Sequence, residues 1–434
     1  MRSKNAGAIP RVPIGPGANR RLRQPDNPES IFMPDNNVRN SKVLITGGLG
    51  FIGLEVAKLL AQRHQPVLLF DSLSPQIHGA IPDLSSLPIL KNSGVEVFRG
   101  NVCSPEDWAK VLDSMLDQAL DGVRCVIHLA AETGTAQSMY EISRYTATNI
   151  GGTAALLNYL ASHRHKVVKI ILASSRAVYG EGPYSCGRCG VVYPAARSAA
   201  VFERGQWQPA CPNCGGAIEA MATPEDARTA PASIYAATKL AQEDLVRIAA
   251  QALGIPAVIF RFQNVYGEGQ SLKNPYTGIL SIFASQLRLG KNIRLYEDGQ
   301  ESRDFVHVSD VARAVVLGLD SDRADGYTLN VGSGSPTSVE RIALLLKERF
   351  GSPAQPLLSG QYRLGDIRHG YADLTAIRAR LDFVPELQLE QGLNRFVEWV
   401  KTRPAEPDGL DQATHELVAR GFMPAHAAAK AASV

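Results

Sequence analysis

Residues 43–53, VLITGGLGFIG, decide how the rest of the chain is read. An apolar run of strand length ends among glycines, Gly47, Gly50 and Gly53 carrying the pattern, and a helical apolar period follows. Glycines at such a turn let the backbone double back tightly and approach a bound group closely. The helix start then offers unpaired N–H groups and its positive end, which suits a pyrophosphate. A glycine-rich turn alone is a weak signal. Between a strand and a helix, inside a βαβ unit, it predicts a dinucleotide site.

Working outward, strand-length apolar runs recur at 42–46, 66–70, 95–98, 123–129, 167–173 and 257–262, with helical patterns such as FIGLEVAKLLAQR between them. Strand–helix alternation with short connections predicts an α/β fold of Rossmann type, a doubly wound parallel sheet covered on both faces. Asp71 ends the second run, in PVLLFDSLS. A carboxylate there accepts bonds from adenosine ribose hydroxyls and repels a 2′-phosphate. No Arg or Lys follows directly, so NAD is expected in preference to NADP.

The chain has 434 residues, 45% hydrophobic and 20% charged, with a formal net charge of +3. That charge is too small to point to a polyanionic partner, and no basic stripe suggests nucleic acid. No apolar run is long enough to predict a membrane span, and the N-terminus lacks the apolar core of a secretory signal. Six cysteines are too few for a disulfide scaffold at this length, which favours a reducing, cytoplasmic setting.

Chemistry enters at SIYAATK, which puts Tyr235 and Lys239 four apart, on one face of a predicted helix. A phenol titrates near ~10 and is a poor base at neutral pH. A cation one turn away favours the phenolate. Tyr235 then becomes a candidate base for a substrate hydroxyl. Ser174 and Ser175 end the apolar strand in ILASSRAVYGEG, where α/β sheets place their ligands. Ser175 is the candidate to share a hydrogen bond with the reacting oxygen.

Taken in order, TGGLGFIG, Asp71, HLAA (128–131), SSRAVYG, YAATK, RFQNVYGEG (261–269), RDFVHVSDVA (303–312) and RLGDIRHGYAD (363–373) resemble the extended short-chain dehydrogenases/reductases of the NAD-dependent sugar-nucleotide epimerase/dehydratase family. The resemblance spans about residues 42–400 and implies a smaller C-terminal α/β substrate domain. It implies a catalytic triad of Ser175, Tyr235 and Lys239. It places NAD against Gly47, Gly50, Phe51, Ile52, Gly53, Asp71, Asn101, Val102, Leu129, Ala130 and Ala131, together with Tyr235 and Lys239. Asn101, in FRGNVCS, stands where the family commonly has an Asp that bonds the adenine amine. An amide oxygen can still accept that bond.

For the nucleotide-diphosphate sugar, the resemblance implies Asn264, Arg303 and Arg363 at the diphosphate and Asp366 at the nucleoside end. Two arginines and an amide suit a dianion. Thr133 and Thr135 fall in the sugar-facing loop, and Arg176 follows the triad serine. Dehydratases of the family carry an Asp-Glu pair where this chain has Arg176 and Ala177, neither of which can shuttle a proton. Decarboxylases usually carry a Glu in that segment, also missing. The expected reaction is therefore C4 epimerisation. AAETGT, SSRAVYGEG and the cysteine pairs together resemble the dTDP-L-rhamnose 4-epimerase subgroup, which makes a dTDP-6-deoxy-L-talose. A UDP-hexose 4-epimerase, a net nucleotide-sugar dehydrogenase or reductase, and a non-catalytic nucleic-acid-binding relative are the alternatives.

Cys186, Cys189, Cys211 and Cys214 form C-x2-C-x21-C-x2-C. Four thiolates at this spacing predict a closed, structural zinc ribbon. It interrupts the stretch between Ser175 and Tyr235. Cys103 and Cys125 fall in or near predicted strands as inert thiols. The expected organisation is a disordered arm at 1–40, a Rossmann domain at 41–263 with the ribbon at 183–230, a mainly substrate-binding domain at 264–402 with some segments returning to the Rossmann sheet, and a tail at 403–434 with one short helix. The family implies a homodimer.

Overall fold

The structure, a computed structural model, describes residues 41–423 apart from 80–83, 85–86, 92–93, 114–121, 273, 275, 277 and 406–409. The predicted arm at 1–40 and residues 424–434 lie outside the described residues. In chain order the strands are β1 (Lys42–Thr46), β2 (Val67–Asp71), β3 (Val95–Arg99), β4 (Val123–His128) and β5 (Lys169–Ser175). An insertion adds β6 (Tyr184–Cys186), β7 (Gly190–Val192) and β8 (Glu219–Ala220). Then come β9 (Ala257–Phe262), β10 (Asn264–Tyr266), β11 (Ile293–Leu295), β12 (Ser302–His307), β13 (Thr328–Val331), β14 (Pro336–Ser338), β15 (Pro356–Leu358) and β16 (His369–Gly370).

Among the described residues, a seven-stranded parallel sheet runs β13-β9-β5-β4-β1-β2-β3. Strand order reverses at β1, between β4 and β2, which is where such sheets open a crevice for ligands. The period of two divides the core in half. Val43 and Ile45 pack with the helices Phe51–Gln62 and Val308–Asp320 on one face. Leu44 points the other way, with Val126, Ile170 and Leu172, against Gly152–Ser162 and Ile234–Leu253. β1 and β2 are buried along their whole length, whereas β3, at the sheet edge, exposes Glu96 and Arg99. The six predicted strands all form. The seventh, β13, is a later segment returning to the sheet beside β9.

Residues beyond β9 build a second core. Phe283, Ile342, Leu346, Phe396 and Val397 join the helices Ile279–Arg288, Val339–Phe350 and Leu389–Lys401, against a small sheet of β10, β12 and β14 with β16 beside β12. The insertion is a three-stranded antiparallel sheet, β7-β6-β8, whose core holds Tyr184, Val192 and the four cysteines. The predicted C-terminal helix spans Leu410–Ala419 and buries Leu410, Ala413, Thr414 and Leu417. No helix among the described residues is long and apolar enough to cross a membrane.

Candidate active site

The C-terminal ends of β1, β2, β4 and β5 border a cleft of about 920 Å³. Gly47 turns out of β1 with φ +63°, and a Cβ there would meet the Ala130 nitrogen at 2.9 Å. At Gly53 a Cβ would lie 2.5 Å from the Gly47 carbonyl oxygen. No side chain caps the helix Phe51–Gln62, and its first residues line the cleft. Asp71 is held at the end of β2 by both oxygens: Oδ2 accepts from the Leu49 N–H at 3.0 Å and Oδ1 from the Leu73 N–H at 2.8 Å. Every residue expected around the dinucleotide, Val102 and Leu129–Ala131 included, lines this cleft. The Asn101 side-chain oxygen, Oδ1, already accepts from the Cys103 N–H at 2.9 Å. Asn101 therefore borders the cleft with its acceptor partly engaged.

Tyr235, Lys239 and Ser175 open on the same cleft. They sit on the helix Ile234–Leu253 and the end of β5. Ser233 caps that helix by accepting from the Ala236 N–H at 3.1 Å, and Ser138 accepts from the Tyr235 N–H at 3.0 Å. Lys239 Nζ donates to the Ala173 carbonyl on β5 at 2.9 Å. Burial lowers its ammonium to about 7, and Glu243, one turn on, pulls it back up. Burial raises the Tyr235 phenol, while a hydrogen bond with Ser175 pulls it down.

Beneath them lies a buried scaffold. Arg261 on β9 donates to both oxygens of Glu243, at 2.9 and 2.7 Å, and Ser174 bonds the same carboxylate. Ser174 and Ser175 thus divide their work: the first braces the helix, the second faces Tyr235.

A smaller cavity, closed down to about 10 Å³, is lined by Thr135, Ser233, Arg363, Asp366, Leu417 and Phe422 among others. Thr133 borders the large cleft and Thr135 the small one, so one loop joins the two. Arg363 stacks on Tyr296 at 4.7 Å and has no carboxylate within ion-pair distance among the described residues. Arg176, Asn264 and Arg303 line neither cavity. Arg303 spends its terminal nitrogens on Asp366 Oδ1 at 3.0 Å and on the carbonyls of Ser302, Ile367 and Arg368. It braces the 366–368 turn. Burial raises the Asp366 carboxyl, but Arg303, Arg363 and Arg197 more than offset this and hold it low. Arg176 donates to the Gly180 carbonyl at 2.7 Å, and burial, then Arg303, lowers its guanidinium to about 10.

The four Sγ atoms of Cys186, Cys189, Cys211 and Cys214 lie within 4.8 Å of one another. Cys186 and Cys214 Sγ are 3.7 Å apart. A tetrahedral zinc with ~2.3 Å bonds to sulfur needs edges of about 3.8 Å, so the donor set fits that ion. All four thiols are unbridged. Cys125 is buried and pushed up to about 12 by that burial, as an inert core thiol would be.

Several contributors escaped the sequence reading. Asn149 bridges the Glu132 N–H, the Glu132 carbonyl and Thr238. It sits in a π-helical turn, Thr146–Gly151, where the helical period that guides such readings breaks down. Tyr145 packs edge-on to Tyr235, with centroids 6.5 Å apart, and donates to the Thr133 carbonyl at 2.6 Å. Gln263 and Gln270 line the cleft, each with a buried side-chain oxygen that lacks a partner. Only Glu243 left a signal, a charge on the Tyr235–Lys239 stripe of a buried helix face.

The model of the NAD-dependent epimerase/dehydratase family matches residues 43–332. A dTDP-L-rhamnose 4-epimerase of Burkholderia thailandensis is 38% identical over 363 residues, covering 84% of this chain and 96% of the relative. A Thermotoga maritima UDP-glucose 4-epimerase solved with UDP-glucose superposes with a TM-score of 0.66 at 26% identity, over 83% of this chain and 98% of that one. MoeE5, solved with UDP-glucuronic acid and NAD, gives 0.64 at 26%, over 83% and 99%.

Proposed function

Because the chain belongs to the NAD-dependent epimerase/dehydratase family, we propose that it inverts C4 of a nucleotide-diphosphate sugar. The observation that carries this reading is the meeting of two systems in one cleft: the glycine turn with Asp71, and Ser175 with Tyr235 and Lys239. NAD, when bound, supplies a hydride acceptor and donor and a positive ring that favours the phenolate. The Gly47 turn, the uncapped helix start and Asp71 would hold it. Tyr235 Oη takes the proton of the C4 hydroxyl and later returns one. Lys239 holds positive charge beside the phenol, and Ser175 shares the hydrogen bond of the reacting oxygen. Arg176 and Ala177 leave no acid–base pair for water loss. That disfavours dehydratase chemistry.

The preferred substrate is dTDP-L-rhamnose, giving dTDP-6-deoxy-L-talose. The Burkholderia relative supports it at 38% identity over nearly its whole length. Arg363 provides a cation for the diphosphate and Asp366 an acceptor at the nucleoside, both from the lining of the small cavity. A UDP-hexose is the second reading, supported by the Thermotoga enzyme's likeness. The four thiolates would hold a zinc in a structural role, since four protein ligands leave no position for substrate. Incubation with dTDP-L-rhamnose, followed by proton NMR, should show inversion at C4 with no net NADH. A stable keto sugar or accumulating NADH would overturn the reading.

A further inference from the structure

Residues 360–366 carry Arg363 and Asp366, yet they lie in no helix or strand. Backbone hydrogen bonds of a regular element therefore do not set where these two side chains stand; tertiary contacts must. One side chain of the insertion supplies one of them directly and meets two carboxylates that supply others. Arg197 is 7% exposed and spreads its guanidinium over four acceptors. Nε donates to Glu181 at 3.2 Å, Nη1 to Glu297 at 2.8 Å and to the Trp207 carbonyl at 2.9 Å, and Nη2 to the Asp366 carbonyl at 3.1 Å.

The same two carboxylates reach the far side of the segment. Glu181 accepts from the Arg368 N–H at 2.9 Å, and Glu297 from the Arg368 guanidinium at 2.9 Å. Next to this lattice, Phe202 of the insertion stacks on Tyr362 with centroids 4.5 Å apart and planes 14° from parallel. Arg197 lies over the Phe202 ring at 4.5 Å. Residues 362, 366 and 368 are thus pinned from the insertion side, and Arg363 is held between them.

We propose that Arg197 is a positioning residue, through which the inserted ribbon sets the affinity for the nucleotide sugar without entering the chemistry. The inference rests on the function proposed above. It assigns the insertion to the substrate site. A planar guanidinium serves four acceptors in fixed directions, and an ammonium at the end of a lysine does not.

Two variants test it, Arg197→Lys and Phe202→Leu, with wild-type protein as reference. The first keeps the charge between Glu181 and Glu297. The second keeps the ion pairs and removes the Phe202 ring's contacts with Tyr362 and Arg197, so it answers the question if the first fails to fold. KM for dTDP-L-rhamnose should rise about tenfold in Arg197→Lys and less in Phe202→Leu, with kcat within a few fold of wild type, the pattern of lost uniform binding. Calorimetry with dTDP alone should show the same loss, and bound NAD should be unchanged. Folded variants that keep wild-type KM and dTDP affinity overturn this inference alone. Wild-type protein that binds NAD but neither dTDP nor UDP overturns the proposed function with it.

Discussion

Lys239 Nζ donates to the carbonyl of Ala173 at 2.9 Å, tying the helix of Tyr235 and Lys239 to the strand that ends in Ser175. The spacing of Tyr235, Lys239 and Ser175 is thereby set by the fold's own sheet and not by a loop. Tyr235→Phe should cut turnover by ~10²–10⁴, the usual worth of a positioned acid–base group, with NAD still bound. Lys239→Met removes the cation that favours the phenolate, so the acid limb of the kcat profile should move to higher pH. An unmoved limb would take Lys239 out of that role.

Asp71 serves two ends. Its carboxylate fixes the Leu49 and Leu73 N–H groups and faces the expected ribose. Asp71→Ala should weaken NAD binding by about 1.5–3 kcal/mol, as for a lost charged hydrogen bond. It should also erase the preference over NADP, since nothing then repels the extra phosphate. Titration with both cofactors checks the pair of effects; retained discrimination argues against the assignment.

His128 predicts an acid limit on stability. Its ring lies between Thr46 Oγ1 at 2.8 Å and Thr153 Oγ1 at 3.0 Å. Burial, then Lys239, lowers it to about 3 from an ordinary 6.5. Between those values the unfolded chain takes a proton that the folded chain refuses, so stability falls as pH drops from 6.5 toward 3. The slope approaches about 1.4 kcal/mol per pH unit for one proton. Urea unfolding of His128→Gln between pH 4 and 6 should lose that contribution. An unchanged slope would place the acid sensitivity elsewhere.

Purified protein should carry about one zinc per chain, the stoichiometry of a four-thiolate site. Cys211→Ser should lower both zinc content and melting temperature, while bound NAD persists. Full zinc retention in the variant would mean that Cys211 is not a ligand.

The glycine turn, Asp71, the Tyr235–Lys239 pair and the four cysteines were legible because each is a local pattern with a fixed spacing. What joins them was not. Arg197 meets Glu297 and Asp366 across the fold, and no periodicity couples positions so far apart. Asn149 was hidden by its π-turn. Arg303 was expected at the diphosphate because its motif says so, while its donors in the structure brace the 366–368 turn. A motif carries no record of such partners.

Ser174 and Ser175 are adjacent in the chain, but one bonds Glu243 and the other lines the cleft with Tyr235. Strand alternation sends them to different tasks. The two codons therefore answer to different selective pressures: substitutions at 174 should surface in screens for soluble, heat-resistant protein, and those at 175 only in screens for turnover.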